Sequence, residues 1–218
     1  MIRGILFDMD GTLADTERLQ WEAYRRVLRE FGVDVDLEEY RHHWIAVEGG
    51  PEYACRTYTL PITAAELRAR KTVEYRGLIQ RGVTPQPGAV AAVERLRHTH
   101  RLAVATNTAA EEVAVILEHL GLAGRFHAVV TREQYARAKP APDAYLAAAA
   151  ALGLAAAECV VIEDTQRGVA AGVAAGMPVV AVPSDLTYDN DFTGSACRLT
   201  SLDELTPTLL LRLGAQTG

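Results

Sequence analysis

Five short apolar runs, at residues 3–7, 102–105, 128–131, 159–162 and 179–182, recur along the chain with helical patterns between them. Four of the five are rich in β-branched residues. Each is too short for a helix, and several are closed by polar or glycine-containing turns, so they read as buried strands. The intervening patterns at 89–97, 109–120, 143–152 and 169–175 read as helices. Strands that alternate with helices run parallel, because the helix is the crossover that returns the chain to the same sheet edge. Such a sheet is covered on both faces. The low aromatic share, 6%, and the many Ala and Val positions suit helices packed closely on a sheet. The expected core is therefore α/β: a doubly wound, Rossmann-like parallel sheet.

One stretch breaks the alternation. Between residues 15 and 83 no strand pattern stands out. Trp21, Tyr24, Val27, Leu28 and Phe31 fall on one helical face, and Gly32 marks its stop. Thr63-Ala-Ala-Glu66 is a capping box that opens a long helix towards Gly82. Two more such boxes are expected, at Thr108-Ala-Ala-Glu111 and Ser201-Leu-Asp-Glu204. Gly121 should stop the helix that follows Thr108, and Pro87-Gly88 should open the helix before the second strand. The expected organisation is a core of residues 1–14 and 84–218, with an all-helical cap, 15–83, inserted after the first strand. Its connections are 14–17 and the proline-rich 83–88, a semi-rigid hinge.

Composition removes several function classes. A formal net charge of −6 argues against a general binder of nucleic acid or anionic membrane. No apolar run reaches the roughly 20 residues needed to span a bilayer. Asp8 ends the run 2–7 before it is long enough for a signal sequence. Cys55, Cys159 and Cys197 are odd in number and lack metal-ligand spacing, as expected of reduced thiols in a cytoplasmic protein. Only Lys71 and Lys139 among the 22 basic residues are lysines, which draws attention to Lys139 as a compact point charge.

Four segments carry candidate chemistry. In "ILFDMDGTLADTE" a buried strand delivers Asp8 and Asp10 at its C-terminal end, where open α/β sheets bind ligands. Two crowded carboxylates call for a metal, a shared proton, or both; an acidic turn capping a helix is the structural alternative. In "LAVATNT" the hydroxyls of Thr106 and Thr108 and the Asn107 amide stand at a helix start, either as an anion site or as an ordinary N-cap. In "RAKPAPDAY" the prolines stiffen a turn that presents Lys139, for a phosphate or carboxylate or simply for solvent. In "CVVIEDTQRGVAAGVAAGM" an apolar strand ends in Glu163-Asp164, hard oxygen donors suited to Mg²⁺ or else a capping pair. Gly168, Gly172 and Gly176 are expected to allow close helix–sheet packing.

In this order and spacing the four segments resemble the haloacid dehalogenase superfamily, and the helical insert is similar to its subgroup with a small helical cap. The resemblance implies a Mg²⁺-dependent phosphohydrolase acting on a small phosphorylated metabolite, with no nucleic-acid or membrane partner. It implies Asp8 as nucleophile and Asp10 as acid/base. It also implies Thr106, Asn107 and Lys139 as phosphoryl-binding groups, and Asp8, Asp10 and Asp164 as metal ligands with Glu163 in support. These roles are coherent, since a cation and Lys139 both favour an ionised Asp8 and offset charge on the transferring group.

Within the superfamily, the dehalogenases usually lack the second acid of the first motif, so Asp10 argues against them. Sugar-phosphate mutases are the rival. They usually carry a histidine in the first cap helix, where Gln20 stands here, and bases in a cap loop that here reads "AVEGGPEY", with Glu48 and Glu52. Lys71 or Arg56 remains as a cap cation, and Lys71 as the lysine a phosphonate hydrolase would require. A receiver-like, non-catalytic phosphate-responsive module is the reading from another class; its acid pair would precede the phosphorylated aspartate by a long interval. His42, His43 and Trp44 either line a substrate entrance or pack the cap. Arg167 is either a rim ion pair or a surface residue.

Overall fold

The computed structural model describes residues 1–45 and 49–216. Glu48, singled out in the cap loop, lies outside the described residues. In chain order the elements are strand β1 (Gly4–Phe7), helices α1 (Glu17–Arg29), α2 (Leu37–Tyr40), α3 (Gly50–Thr57), α4 (Ala64–Ile79) and α5 (Ala89–Leu96), β2 (Arg101–Ala105), α6 (Ala110–His119), β3 (Ala128–Val130), α7 (Asp143–Ala151), β4 (Cys159–Glu163), α8 (Gln166–Ala174), β5 (Val179–Ala181), β6 (Cys197–Arg198) and α9 (Pro207–Gln216). The chain divides into two compact units, Met1–Asp15 with Thr84 onward, and Thr16–Val83.

The first unit holds one parallel sheet in the order β3-β2-β1-β4-β5-β6. The chain winds outward from β1 through β2 to β3, then restarts at β4 on the other side of β1. That reversal opens a crevice at the C-terminal ends of β1 and β4. Phe7 lies opposite Val104 of β2 and Ile162 of β4, so Asp8 leaves the sheet between those two strands. The doubly wound core expected from the alternating runs is what forms. The two-residue β6 is too short to carry a sequence pattern.

Both faces of the sheet are buried, as the continuous apolar runs require. Leu6, Ala103, Ala105, Val161, Val179 and Ala181 join one cluster with Ala144, Tyr145 and Ala148 of α7 and Val169 and Ala171 of α8. The alternate residues Ile5, Phe7, Leu102, Val104, Val160, Ile162 and Val180 point the other way and are buried too. Fully burying a Val or Leu contributes about 1.5–3 kcal/mol, so these strands admit polar residues only at their ends. Small residues let helix and sheet approach: a Cβ on Gly172 would lie 2.6 Å from Val179 Cγ2. Gly176 does not serve packing, contrary to expectation. Nothing stands within 4 Å of its missing Cβ, and its φ of +73° marks the left-handed stop after α8.

The chain leaves and re-enters this unit through a short ladder. Gln86 N donates to Leu13 O at 2.9 Å, Asp15 N donates to Thr84 O at 2.9 Å, and Ala14 forms an antiparallel bridge with Pro85.

The second unit is helical. Val27, Leu28, Val35, Tyr40, Ala54 and Leu67 form its core, with Trp21, Tyr24, Phe31 and Trp44 packed against them. The Trp21 indole donates to Val35 O at 3.0 Å. Trp44 packs against Tyr24 and Tyr40 (centroids 4.4 and 5.7 Å), and His43 stacks on Tyr53 at 4.4 Å. Lys71 places its ammonium over the rings of Tyr24 and Tyr75, 5.2 and 4.7 Å from their centroids. Glu52, in the first turn of α3, pairs with Arg68 at 2.6 Å. Asp34 receives Arg25 and Arg29 at 2.6 and 3.1 Å.

Of the three expected capping boxes, Thr63–Glu66 forms with both reciprocal bonds, at 3.2 and 2.8 Å. The other two do not form. The N-cap of α6 is Ala109, because the Thr108 hydroxyl is engaged elsewhere. Ser201 accepts from Asp203 N at 3.1 Å, while Glu204 turns back to Thr200 N at 2.8 Å.

Candidate active site

Every candidate residue of the first unit lies at the C-terminal edge of the sheet. Asp8 follows β1, Thr106 follows β2, Glu163 ends β4 and Asp164 follows it. Lys139 comes from the turn before α7. Asp8, Thr106, Lys139, Glu163 and Asp164 are all buried.

Lys139 is the hub. Its ammonium lies 2.5 Å from Asp8 Oδ1, 2.8 Å from Glu163 Oε1 and 2.8 Å from the Tyr145 hydroxyl. Its three protons thus have three acceptors. Burial works against the charged form, but Asp8 and Glu163 overcome it and hold the Lys139 pKa above its ordinary value. Arg167 donates to the Lys139 carbonyl at 2.7 Å, which ties the turn to the start of α8. Arg167 is therefore more than a surface residue.

Glu163 is fully engaged. Oε1 accepts from Lys139 and from Tyr145, each at 2.8 Å; Oε2 accepts from Asp164 N, Thr165 N and Thr165 Oγ1 at 3.0–3.1 Å. Burial raises its pKa, and Lys139 with these donors outweighs burial, so the net shift is downward. Gly168 makes room for it: a Cβ there would fall 1.7 Å from Glu163 Cδ. Gly11, at φ +81°, makes the same allowance for Asp164, whose Oδ2 would lie 2.1 Å from a Cβ.

Asp8, Glu163 and Asp164 each offer an oxygen, all within 4.8 Å of one another. Three buried carboxylates against one ammonium leave an excess of negative charge, and an all-oxygen donor set suits a hard divalent cation. The residues fit such an ion. Burial pushes the Asp8 carboxyl well above the usual range; Lys139 opposes this, while Glu163 and Asp10 add to it. A cation would act with Lys139 and favour the ionised form.

Asp10 faces another way. Its Oδ2 accepts from Thr106 Oγ1 at 3.0 Å and Thr108 Oγ1 at 2.6 Å, and its carboxylate is not a member of the triad. Asn107 joins two loops through its side-chain oxygen, which accepts from Tyr135 OH at 2.8 Å and Lys139 N at 3.2 Å. Thr12 and Thr187 approach Asp164 from either side, at 3.3 and 3.4 Å.

Tyr145 and Thr12 join the site without a sequence signal of their own, and Thr108 serves it by holding Asp10. Tyr145 lies in "KPAPDAY", in the first turn of α7, and its hydroxyl stands 2.8 Å from the Lys139 ammonium.

The sequence matches the family of haloacid dehalogenase-like hydrolases over residues 5–182, most of the chain. The chain belongs to that family. It is 34% identical to the fructose-1-phosphate phosphatase YqaB of Escherichia coli, over 82% of this chain and 95% of the relative. It is 28% identical to the beta-phosphoglucomutase of Bacillus subtilis, over 83% of each. Among solved structures, CbbY of Rhodobacter sphaeroides in complex with xylulose-1,5-bisphosphate superposes with a TM-score of 0.79 at 31% identity, over 94% of this chain and 96% of that one. This haloacid dehalogenase-like hydrolase is a phosphohydrolase enzyme. No helix among its described residues is long and apolar enough to cross a membrane.

Proposed function

We propose that the chain is a Mg²⁺-dependent phosphatase of small phosphorylated metabolites, sugar phosphates foremost, working through an aspartyl-phosphate on Asp8. The observation that carries this reading is the pairing of a buried Asp8 with Lys139 beside Glu163 and Asp164, while Asp10 on the same loop is held apart by two hydroxyls.

An Asp8 oxygen attacks phosphorus and the bond to the leaving oxygen breaks. Asp10, steadied by Thr106 and Thr108, gives that oxygen its proton. Asp10 then takes a proton from water, the water oxygen attacks phosphorus, and the acyl-phosphate bond breaks to release inorganic phosphate and restore Asp8. Lys139 offsets charge on the phosphoryl oxygens throughout. Asp8 and Asp164 would hold Mg²⁺, which supplies further positive charge at those oxygens; Glu163 fixes Lys139 and the backbone of Asp164. Thr106 and Asn107 line the phosphoryl pocket, and the Asp10 carboxylate serves proton transfer. We assign leaving-group choice to the helical unit, inserted directly after the Asp8–Asp10 loop. The sugar-phosphate relatives support the substrate class, and the free Cys55, Cys159 and Cys197 support a cytoplasmic setting.

The test is release of phosphate from p-nitrophenyl phosphate and from a panel of ketose and aldose phosphates, with Mg²⁺, with EDTA, and in Asp8→Asn. Turnover that needs both Mg²⁺ and Asp8 supports the reading. A folded wild type that releases nothing, yet interconverts hexose phosphates with a bisphosphate activator, would replace it with the mutase.

A further inference from the structure

At the opposite edge of the sheet, where β1, β2 and β3 begin, the first unit carries a cleft of about 440 Å³. Arg3, Arg97, His98, His100, Arg101 and His127 line it, and among the described residues no acidic one does. The intervening strands are four and five residues long, so at about 3.3 Å per residue the cleft stands roughly 13–17 Å from the Asp8 crevice. In a chain with formal net charge −6 and six histidines, a lining of three arginines and half the histidines is a marked concentration of cations and N–H donors.

The ion pairs at the rim do not neutralise it. Glu158 takes Arg3 at 2.6 Å. Glu94 is shared, 3.0 Å from Arg97 and 3.0 Å from Arg125. Among the described residues no carboxylate pairs with Arg101, whose Nη1 donates to Leu152 O at 2.5 Å. Four guanidiniums therefore answer to two carboxylates. Arg97 Nε is buried without a hydrogen bond, since Glu94 Oε2 stands near it but out of line. His127 Nδ1 accepts from Leu102 N at 3.1 Å, which leaves its Nε2 to carry the proton and act as a donor.

We propose that this cleft is a second anion site, separate from the Asp8 crevice, that takes a small oxyanion of the phosphate class with at least two negative charges. Planar guanidinium forks match paired phosphate oxygens, and imidazole N–H groups complete the donor set. Burial lowers the His100 pKa, so near neutral pH the arginines supply the charge and this histidine donates as a neutral ring. The size of the cleft fits a metabolite-sized ligand, and the acidic chain as a whole disfavours a long polyanion.

The test uses the three histidines as local reporters. Inorganic pyrophosphate is titrated into the protein in EDTA while histidine ring resonances are followed by NMR, with NaCl matched for ionic strength as the control. Saturable shifts of His98, His100 and His127, with His119 and His43 unmoved, are the expected result. Arg97→Gln and Arg101→Gln should each weaken the midpoint about tenfold, the loss of one charge-assisted contact. Two variants are used because Arg101 also holds the Leu152 carbonyl. Shifts that NaCl reproduces, shifts that spread equally to His119, no shifts, or a midpoint unchanged in both variants would overturn the proposal. Phosphatase activity plays no part in the readout, so its outcome leaves this test intact.

Discussion

The Lys139 ammonium stands 2.5 Å from Asp8 Oδ1, with no water-sized gap and almost no exposure of either group. A compact ammonium with three spent protons fits this place, and a planar guanidinium does not. Lys139→Met should lower kcat by about 10²–10³. It should also lower unfolding stability in EDTA by about 3 kcal/mol, because Asp8 and Glu163 are left as uncompensated buried charges. Lys139→Arg should not restore activity. Steady-state kinetics and urea unfolding check these outcomes; an arginine variant within tenfold of wild type would sink the argument from size.

Thr108 holds Asp10 more closely than Thr106 does, at 2.6 against 3.0 Å. Thr108→Val should lower kcat about tenfold while KM changes less, since an oriented proton donor matters in the transition state rather than in binding. Thr108→Ser keeps the hydroxyl and should retain activity. Activity lost in Thr108→Ser but kept in Thr108→Val would mean that the methyl group, not the hydrogen bond, was the contribution.

Gly168→Ala drives a methyl group into Glu163 and should lower both stability, by about 1–3 kcal/mol, and kcat. Gly121→Ala is the matched control. Its φ of +68° makes alanine unfavourable by about 1 kcal/mol, yet nothing stands within 4 Å of the new methyl, so kcat should be unchanged. Thermal unfolding and turnover measured side by side separate the two effects.

In the helical unit, hydrogen bonds from Arg25 and Arg29 hold the Asp34 carboxyl well below its ordinary value of 3.8. A depressed folded-state pKa stabilises the fold above the unfolded value, and that contribution fades as pH falls towards the folded one. Asp34→Asn should therefore lower Tm slightly at pH 7. The gap from wild type should shrink below about pH 4, and 1 M NaCl at pH 7 should shrink it too, because the group is exposed. A gap that widens on acidification would contradict the sign.

The sheet was legible because its strands are buried on both faces: runs such as "CVVIE" carry no polar interruption until the site begins. Asp8, Asp10, Glu163 and Asp164 were legible for the same reason, as acids placed where an apolar run stops. Residues with two plausible employers were not legible. Thr108 satisfies the sequence rule for an N-cap, and only the fold shows that Asp10 claims its hydroxyl while Ala109 begins the helix without a side-chain cap. Ser201 and Glu204 likewise have capping-box spacing, but Thr200 takes the glutamate. Tyr145 reads as one more apolar residue of an alanine-rich helix until its hydroxyl is placed between Lys139 and Glu163. Long-range partners 20 or 100 residues apart leave no periodicity to read.

The ladder of Leu13 with Gln86, Ala14 with Pro85 and Asp15 with Thr84 joins the two backbone crossings to each other before either departs. The core therefore closes its own seam, and whatever is spliced there begins and ends at adjacent points. Such a seam makes the excursion an exchangeable cassette. A lineage can lengthen, replace or prune it with little loop-closure penalty while the hydrolytic edge stays as it was. Bridging Asp15 to Thr84 with a tight hairpin turn should likewise leave a foldable core for grafting foreign inserts.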